Sequence, residues 1–229
     1  MSNRAIIFSH ADADGHVIAV QSKRNLIKAG YEVIDVVVDP VLTRNYRFWE
    51  DHFQAADFGD SDHVFIFDIM LNSKNPTTSL EAIASRAKSE RTRKFSIIDH
   101  HPAELRFELP ANVSLQLVDA VYDCCYGEPT ELMYLAAICD KEAASVRDRI
   151  SEWHLKVAKG IHRAVTDRKR IAGRILLDLI ETGQWGVFRA LADEPDSLHR
   201  TMYGNRILES QESPALRRLH SEHAVNAST

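Results

Sequence analysis

The sequence contains little cysteine: three residues in 229, of which Cys124 and Cys125 are adjacent and Cys139 stands apart. Adjacent cysteines close a disulfide only under strain, and the set lacks the C-x-x-C spacing of thiolate zinc sites. We therefore expect reduced thiols, no cysteine-bound metal, and a Cys139 side chain that packs into a helix.

The sequence also lacks a long apolar run. No stretch approaches the roughly 20 apolar residues that span a bilayer, and the first 20 residues lack a basic region that leads into an apolar one. We expect a cytoplasmic protein that is not exported and does not contact membranes.

An excess of positive charge is missing as well. Lys and Arg number 28 against 33 Asp and Glu, which gives a formal net charge of −5. Attraction to a nucleic-acid backbone would therefore require a local basic patch.

Short apolar runs alternate with helical patterns through the first two thirds of the chain. The nearly continuous apolar run at Val64–Met70 suits a strand that is covered on both faces. This alternation predicts an α/β fold with a mostly parallel sheet and flanking helices. The predicted strands are Arg4–Ser9, Val33–Val38, Val64–Met70, Phe95–Ile98 and Val113–Val118, and the predicted helices are Val17–Ala29, Thr43–Ala55, Ser79–Lys88 and Thr130–Asp140.

A helical C-terminal region follows. Apolar residues recur at spacings of three and four from Ser151 to Ala192, and the chain is polar from Pro195 onward, with one helical pattern at Pro214–His220. We therefore predict an α/β domain at residues 1–145, a helical cap at 146–195 and a weakly ordered tail at 196–229.

Ionisable residues follow the first predicted strand. His10, Asp12 and Asp14 alternate ahead of Gly15, and alternate side chains of an extended segment share a face. Gly15 allows the next helix to begin close by. In the alternative interpretation, Asp12 or Asp14 only caps this helix and His10 is solvated.

Further ionisable residues belong to two other strands. Asp68 interrupts Val64–Met70, and Asp99, His100 and His101 stand where the fourth strand ends. The carboxyl ends of parallel strands line one crevice, and a carboxylate in an apolar run needs a partner. A cation is the simplest partner for Asp68; the alternative is a strand-end residue that faces water.

Carboxylates and imidazoles without thiolates favour Mn²⁺, Mg²⁺, Co²⁺ or Fe²⁺. With Asp140, four aspartates would carry a formal charge of about −4, which two divalent ions neutralise. Two such ions form a site that activates water against a phosphate ester.

The motifs resemble those of the DHH phosphoesterase superfamily, named for the triplet that is Asp99-His100-His101 here. His10-x-Asp12-x-Asp14-Gly15, Asp68 and the triplet follow the family's order, and the resemblance covers roughly residues 4–142. A fourth family motif, a lone aspartate after a helix, is matched by Asp140, with Asp119 and Asp123 as competitors.

The resemblance implies a DHH-type domain with two Mn²⁺ ions, for which Mg²⁺ or Co²⁺ are substitutes. It implies two catalytic residues: Asp99, which orients a histidine, and His101, which contacts the substrate phosphate or assists proton transfer. It implies one ion held by His10, Asp12 and Asp68, and a second held by Asp14, Asp68, His100 and Asp140.

The activity implied is phosphodiester hydrolysis, since the family includes RecJ-like exonucleases, oligoribonucleases and cyclic-dinucleotide phosphodiesterases. Short oligonucleotides, nucleotides or other phosphoesters are the expected partners, and a homodimer remains open. One alternative is a pyrophosphatase- or polyphosphatase-type hydrolase, and another is a catalytically degenerate regulator that binds metal or nucleic acid.

The common second domain of the family, which carries a glycine-rich motif with a histidine, has no counterpart after residue 142. We expect a minimal enzyme with a helical cap. The alternatives, which we rank lower, are a subunit whose partner completes the cleft and a family member that has lost catalysis. Arg163, Arg170 and Arg174 share about one helical face and are candidate substrate-binding residues; the alternative is a solvated face. Trp153 and Trp185 could stack a base, but their spacing is more typical of core residues.

Overall fold

The structure, a computed structural model, describes residues 3–39, 53–54, 56–69, 71, 79–103, 105–166 and 173–193. The strands are β1 (Asn3–His10), β2 (Tyr31–Asp39), β3 (His63–Phe67), β4 (Lys94–Asp99) and β5 (Val113–Leu117). The helices are α1 (Ala13–Lys28), α2 (Ser79–Ser89), α3 (Leu132–Cys139), α4 (Glu152–Thr166), α5 (Gly173–Glu181) and α6 (Trp185–Asp193). Short 3-10 helices occur at Val121–Asp123 and Ala143–Arg149.

The five strands form one parallel sheet in the order β2-β1-β3-β4-β5. The predicted α/β class with a mostly parallel sheet and a helical C-terminal portion is confirmed. The chain runs from β1 to β2 on one side and then to β3 on the other side of β1. In such sheets the crevice at this reversal, beyond the carboxyl ends of the strands, is the usual binding site.

Side chains that alternate along each strand form two hydrophobic layers. Ile6 and Phe8 of β1 pack with α2 on one face, whereas Ala5 and Ile7 pack toward α1 on the other. The buried residues of α3, α4, α5 and α6 belong to the same cluster as α1. The helical region therefore shares a core with the sheet, while the boundaries near residues 145 and 195 stay predictions.

Two elements differ by three or more residues from their predicted bounds. Helix α1 begins at Ala13, four residues before the predicted Val17, because the Asp12 carboxylate caps it. Strand β3 ends at Phe67, since Asp68 adopts a left-handed φ of 54° that breaks the extended conformation. None of the described helices has the length and apolar character that a bilayer span requires. Most of the predicted helix Thr43–Ala55, all of Pro214–His220 and the 196–229 tail lie outside the described residues.

Helices α4 and α6 approach each other closely at Gly160. A Cβ atom on Gly160 would lie 1.9 Å from the backbone oxygen of Phe188, a distance that no side chain can occupy. This contact requires glycine despite its cost of about 1 kcal/mol within a helix.

Gly160→Ala is expected to lower the free energy of unfolding by about 2 kcal/mol or more, because the two helix backbones must separate. Chemical denaturation measures this change. Gly186→Ala on α6 is the matched control, since a Cβ atom there meets nothing within 4 Å. Equal stability of the two variants would contradict the close packing of these helices.

His63 begins β3 at the amino end of the sheet. Its ring stacks on Phe65 with a centroid distance of 3.9 Å, and its Nε2 lies 2.8 Å from the Ser96 hydroxyl. Burial, followed by the charge of Lys94, lowers the pKa of His63 to about 4. The folded protein therefore holds His63 as the neutral imidazole.

This shift predicts a pH dependence of stability. A folded-state pKa below the ordinary 6.5 gives stability that is complete above pH 6.5 and is lost as the pH falls through about 4. The wild type should therefore lose more unfolding free energy between pH 7 and pH 4 than His63→Gln. Parallel pH profiles of the two proteins in urea denaturation would refute this expectation.

Candidate metal centre

Acidic and imidazole side chains meet at the carboxyl ends of the central strands. His10 is the last residue of β1, Asp68 follows β3 directly, and Asp99 is the last residue of β4. Asp140 joins them as the residue that caps the C-terminus of α3. The predicted convergence thus occurs at the reversal between β1 and β3.

The first motif does not form the single extended face that the alternating pattern suggested. Asp12 is the N-cap of α1 and accepts a hydrogen bond of 3.1 Å from the Gly15 amide, and Asp14 lies in the first helical turn. Asp12 therefore caps the helix, as the alternative interpretation expects, but it also remains a candidate ligand. Its second carboxylate oxygen contacts His10 Nδ1, and His10, Asp12 and Asp68 present ligand atoms within 4.8 Å of one another.

Gly15 is required by a close backbone approach. A Cβ atom at this position would lie 2.2 Å from the carbonyl oxygen of His10. The Ser9 hydroxyl also donates a 2.8 Å hydrogen bond to the Gly15 carbonyl. The end of β1 and the start of α1 are therefore held together, which keeps His10 beside Asp12.

Asp68 is buried, with 1% of the residue exposed, so the water-facing alternative is wrong. Its Oδ1 lies 3.1 Å from His100 Nε2, while its Oδ2 is buried and accepts no hydrogen bond from any residue that the structure describes. A buried carboxylate oxygen without a partner is costly. Together with the oxygen and nitrogen donors around it, this orphaned oxygen fits a divalent cation.

The electrostatics also favour a cation. Burial, followed by the negative charges of Asp68, Asp12 and Asp140, raises the pKa of Asp14 well above its ordinary value. Burial alone would lower the pKa of His100, but its hydrogen bond to Asp68 and the surrounding aspartates raise it to about 9. The same concentration of negative charge contributes to both shifts.

Asp140 completes a second group of ligands. Its Oδ2 lies 3.9 Å from His100 Nε2, and Asp14, His100 and Asp140 present ligand atoms within 4.8 Å of one another. In the part of the chain that the structure describes, neither Asp119 nor Asp123 belongs to such a group. The geometry therefore favours Asp140 over these two competitors.

Asp99 is fully buried and joins two loops. Its Oδ2 accepts a 2.6 Å hydrogen bond from the Ile69 amide, and its Oδ1 accepts one of 2.7 Å from the His101 amide. The same Oδ1 lies 2.9 Å from His101 Nδ1. Asp99 is thus placed to orient His101, whose side chain is 26% exposed at the site.

Glu142 contributes a contact that the sequence motifs did not indicate. Its Oε1 lies 3.6 Å from His100 Nδ1, and its Oε2 accepts a 2.9 Å hydrogen bond from the Val121 amide. Lys141 adopts a left-handed φ of 67° after α3, and this turn brings Glu142 back toward His100. In the sequence, the only feature that pointed to Glu142 was its position two residues after Asp140.

Two of the three arginines predicted to bind substrate, Arg163 and Arg174, lie away from this centre. Arg163 is 8% exposed and donates hydrogen bonds of 2.8 and 3.2 Å to the carbonyls of Leu191 and Ala192. It satisfies carbonyl groups at the end of α6, so its predicted place on a substrate-binding face is wrong. Arg174 is exposed and lines a cleft between α1, β2 and α5, and Arg170 lies outside the described residues.

The aromatic and thiol side chains have packing roles. Trp153 and Trp185 contact each other edge to face at 5.7 Å, and Trp185 packs with Phe188. Cys124 and Cys125 are buried free thiols whose pKa values are raised by burial. The core interpretation fits Trp185, which packs against the hydrophobic core, whereas Trp153 is 37% exposed. The free thiols fit the expectation of reduced cysteines.

Glu142→Ala is expected to weaken divalent-metal binding by about 10- to 100-fold, because the carboxylate that orients the metal-binding imidazole is lost. Calorimetric titration with Mn²⁺ measures the affinity. Glu142→Gln should recover part of it, since the amide oxygen can still accept from His100. The control is Glu128→Ala, which removes an exposed carboxylate elsewhere; equal affinities of the Glu142 and Glu128 variants would rule out this role.

No protein-family model and no curated protein matches this sequence. Among solved structures, the chain is similar to the exonuclease RecJ bound to manganese (16% identity, TM-score 0.49, 97% of this chain and 63% of that one). It is also similar to RecJ in complex with Mn²⁺ from Thermus thermophilus (16%, 0.46, 97% and 36%) and to CDC45 from Entamoeba histolytica (14%, 0.38, 80% and 34%). The chain thus spans between about one third and 63% of the length of these structures. At these scores and identities the matches assign no family.

Proposed function

We propose that this protein is a metal-dependent phosphodiesterase of the DHH type that hydrolyses short oligonucleotides or nucleotide-type phosphoesters with two divalent ions. One observation carries the proposal: three groups of three potential ligands overlap at Asp68 and His100, namely Asp68/His100/His101, His10/Asp12/Asp68 and Asp14/His100/Asp140. The groups come from three strand ends and two helix ends. Such convergence of buried charge is the pattern of a functional site rather than of a solvated surface.

His10, Asp12 and Asp68 would hold one ion, and Asp14, Asp68, His100 and Asp140 the other. Asp68 suits the shared position, since one of its oxygens faces His100 and the other accepts no hydrogen bond. This donor set of oxygen and imidazole nitrogen suits Mn²⁺ first, with Mg²⁺ and Co²⁺ as substitutes. When bound, such ions activate water and polarise phosphoryl oxygens.

Asp99 and His101 would complete the chemistry. The hydrogen bond to Asp99 raises the pKa of His101 above its ordinary value, which makes protonation of the ring easier. A protonated imidazole can donate to a phosphoryl oxygen or pass a proton to the leaving group. Asp99 would act through His101, by fixing the orientation of its ring.

The charge of the site favours a diester as the substrate. Among the described side chains that contact one another at this centre, all are aspartate, glutamate or histidine. A diester carries one negative charge per phosphate and needs less compensation than pyrophosphate does. Phosphoanhydride hydrolysis is therefore the second candidate.

An activity panel with Mn²⁺ tests the proposal. It contains RNA and DNA of two to five nucleotides, cyclic dinucleotides and pyrophosphate. We expect cleavage of at least one phosphodiester, and we expect a loss of about 100-fold or more in Asp14→Asn and His100→Ala because each removes a ligand.

Asp123→Asn is the matched control, because Asp123 is exposed and belongs to none of the groups of potential metal ligands described above. Circular dichroism of each variant separates loss of activity from loss of fold. Undiminished hydrolysis in both ligand variants would refute the site. Release of orthophosphate from pyrophosphate, without diester cleavage, would favour the second candidate.

A further inference from the structure

A groove of about 790 Å³ lies at the amino ends of β4 and β5. The metal centre lies at the carboxyl ends of the strands, so the groove and the centre occupy opposite ends of the sheet. The five residues of β3 separate them by about 16 Å. We call this feature the basic groove; its polar lining consists of Lys88, Arg91, Lys94, His63, Ser96, Ser114, Thr92 and Asn112.

The charge of the basic groove is of one sign. Three cationic residues line it and no aspartate or glutamate does, although the chain has a net charge of −5. Within the described ranges, no ion pair involves Lys88, Arg91 or Lys94. Positive potential therefore accumulates without compensation from the protein itself.

Neighbouring arginines show the opposite arrangement. The carboxylate of Glu90 is held between Arg86 and Arg93. Both guanidinium groups also donate to backbone carbonyls, among them those of Ala56 and Ser61. The acid nearest to Arg91 is thus engaged elsewhere, which leaves the cations of the basic groove for an external anion.

The floor of the basic groove is neutral and rich in hydroxyl groups. His63 Nε2 lies 2.8 Å from the Ser96 hydroxyl, which lies 2.8 Å from that of Ser114. Burial and the charge of Lys94 lower the pKa of His63 and keep its ring unprotonated, so the floor adds neither a negative charge nor a further cation. Hydroxyl groups beside lysine and arginine are typical contacts for phosphate oxygens.

We propose that the basic groove binds the sugar-phosphate backbone of a single-stranded oligonucleotide. The inference rests on the proposed function, because a phosphodiester substrate makes nucleic acid the expected polyanion. The volume exceeds that of one inorganic phosphate, and three separate cations line the groove, Lys88 from α2, Arg91 from the turn after it and Lys94 from β4, so the groove suits more than one phosphate. It would hold a part of the strand remote from the bond that is cleaved.

The test measures binding without metal, so that it is independent of hydrolysis. Fluorescence anisotropy of a fluorescein-labelled 12-nucleotide single-stranded DNA is recorded in EDTA across a range of salt concentrations. Arg91→Glu/Lys94→Glu should weaken binding by about 10-fold or more and should reduce the salt dependence by about two counterions.

Lys159→Glu/Arg189→Glu is the matched control, because it changes the net charge equally at exposed positions on α4 and α6. This control should bind nearly as the wild type does. Chemical shifts of the His63 ring on addition of the DNA locate the contact independently of any variant.

The outcomes separate this inference from the proposed function. The inference about the basic groove alone would be overturned if the two charge variants bound DNA with equal affinity. It would also be overturned if the protein did not bind DNA but still showed Mn²⁺-dependent hydrolysis. Binding in EDTA without hydrolysis of any substrate would support the groove and count against the proposed function. Displacement of the DNA by polyglutamate at concentrations far below those at which unlabelled DNA displaces it would assign the groove to an acidic protein and overturn the inference.

Discussion

Repulsion among converging carboxylates is the constraint on which this structure depends. Asp12, Asp14, Asp68 and Asp140 approach one another at the end of a parallel sheet, where burial raises the cost of each charge. The imidazole side chains that contact these acids compensate their negative charge only in part. Among the described residues the Oδ2 of Asp68 has no hydrogen-bond partner, and a divalent ion bound there would complete the compensation of charge.

Rigidity allows the sheet to hold such an arrangement. Hydrophobic layers cover both faces, so the strand ends cannot move apart without disrupting the core. Asp99 adds a local constraint, because its two oxygens connect the loop after β3 with the loop after β4. The side chains of the site are therefore placed before any ligand arrives, which is the condition for electrostatic catalysis.

Much of this arrangement could be predicted from the sequence. The end of the fourth strand was readable from an apolar run that stops at Asp99, and the parallel topology brings strand ends together. The end of the third strand was not, because the run Val64–Met70 continues past Asp68. Contacts set by distant segments were not readable. Arg163 fits a helical face in sequence, yet the carbonyls of a later helix bind it. Glu142 depends on a left-handed Lys141, which no local pattern indicates.

The sheet places opposite charge at its two ends: carboxylates beyond the carboxyl ends of the strands and uncompensated cations at the amino ends. The metal-free chain thus resembles an electric dipole directed along the strands. Cations bound among the aspartates would shrink the negative pole and leave the positive one unchanged. The long-range field that an approaching polyanion meets, and hence its rate of association, would depend on how much metal the protein carries.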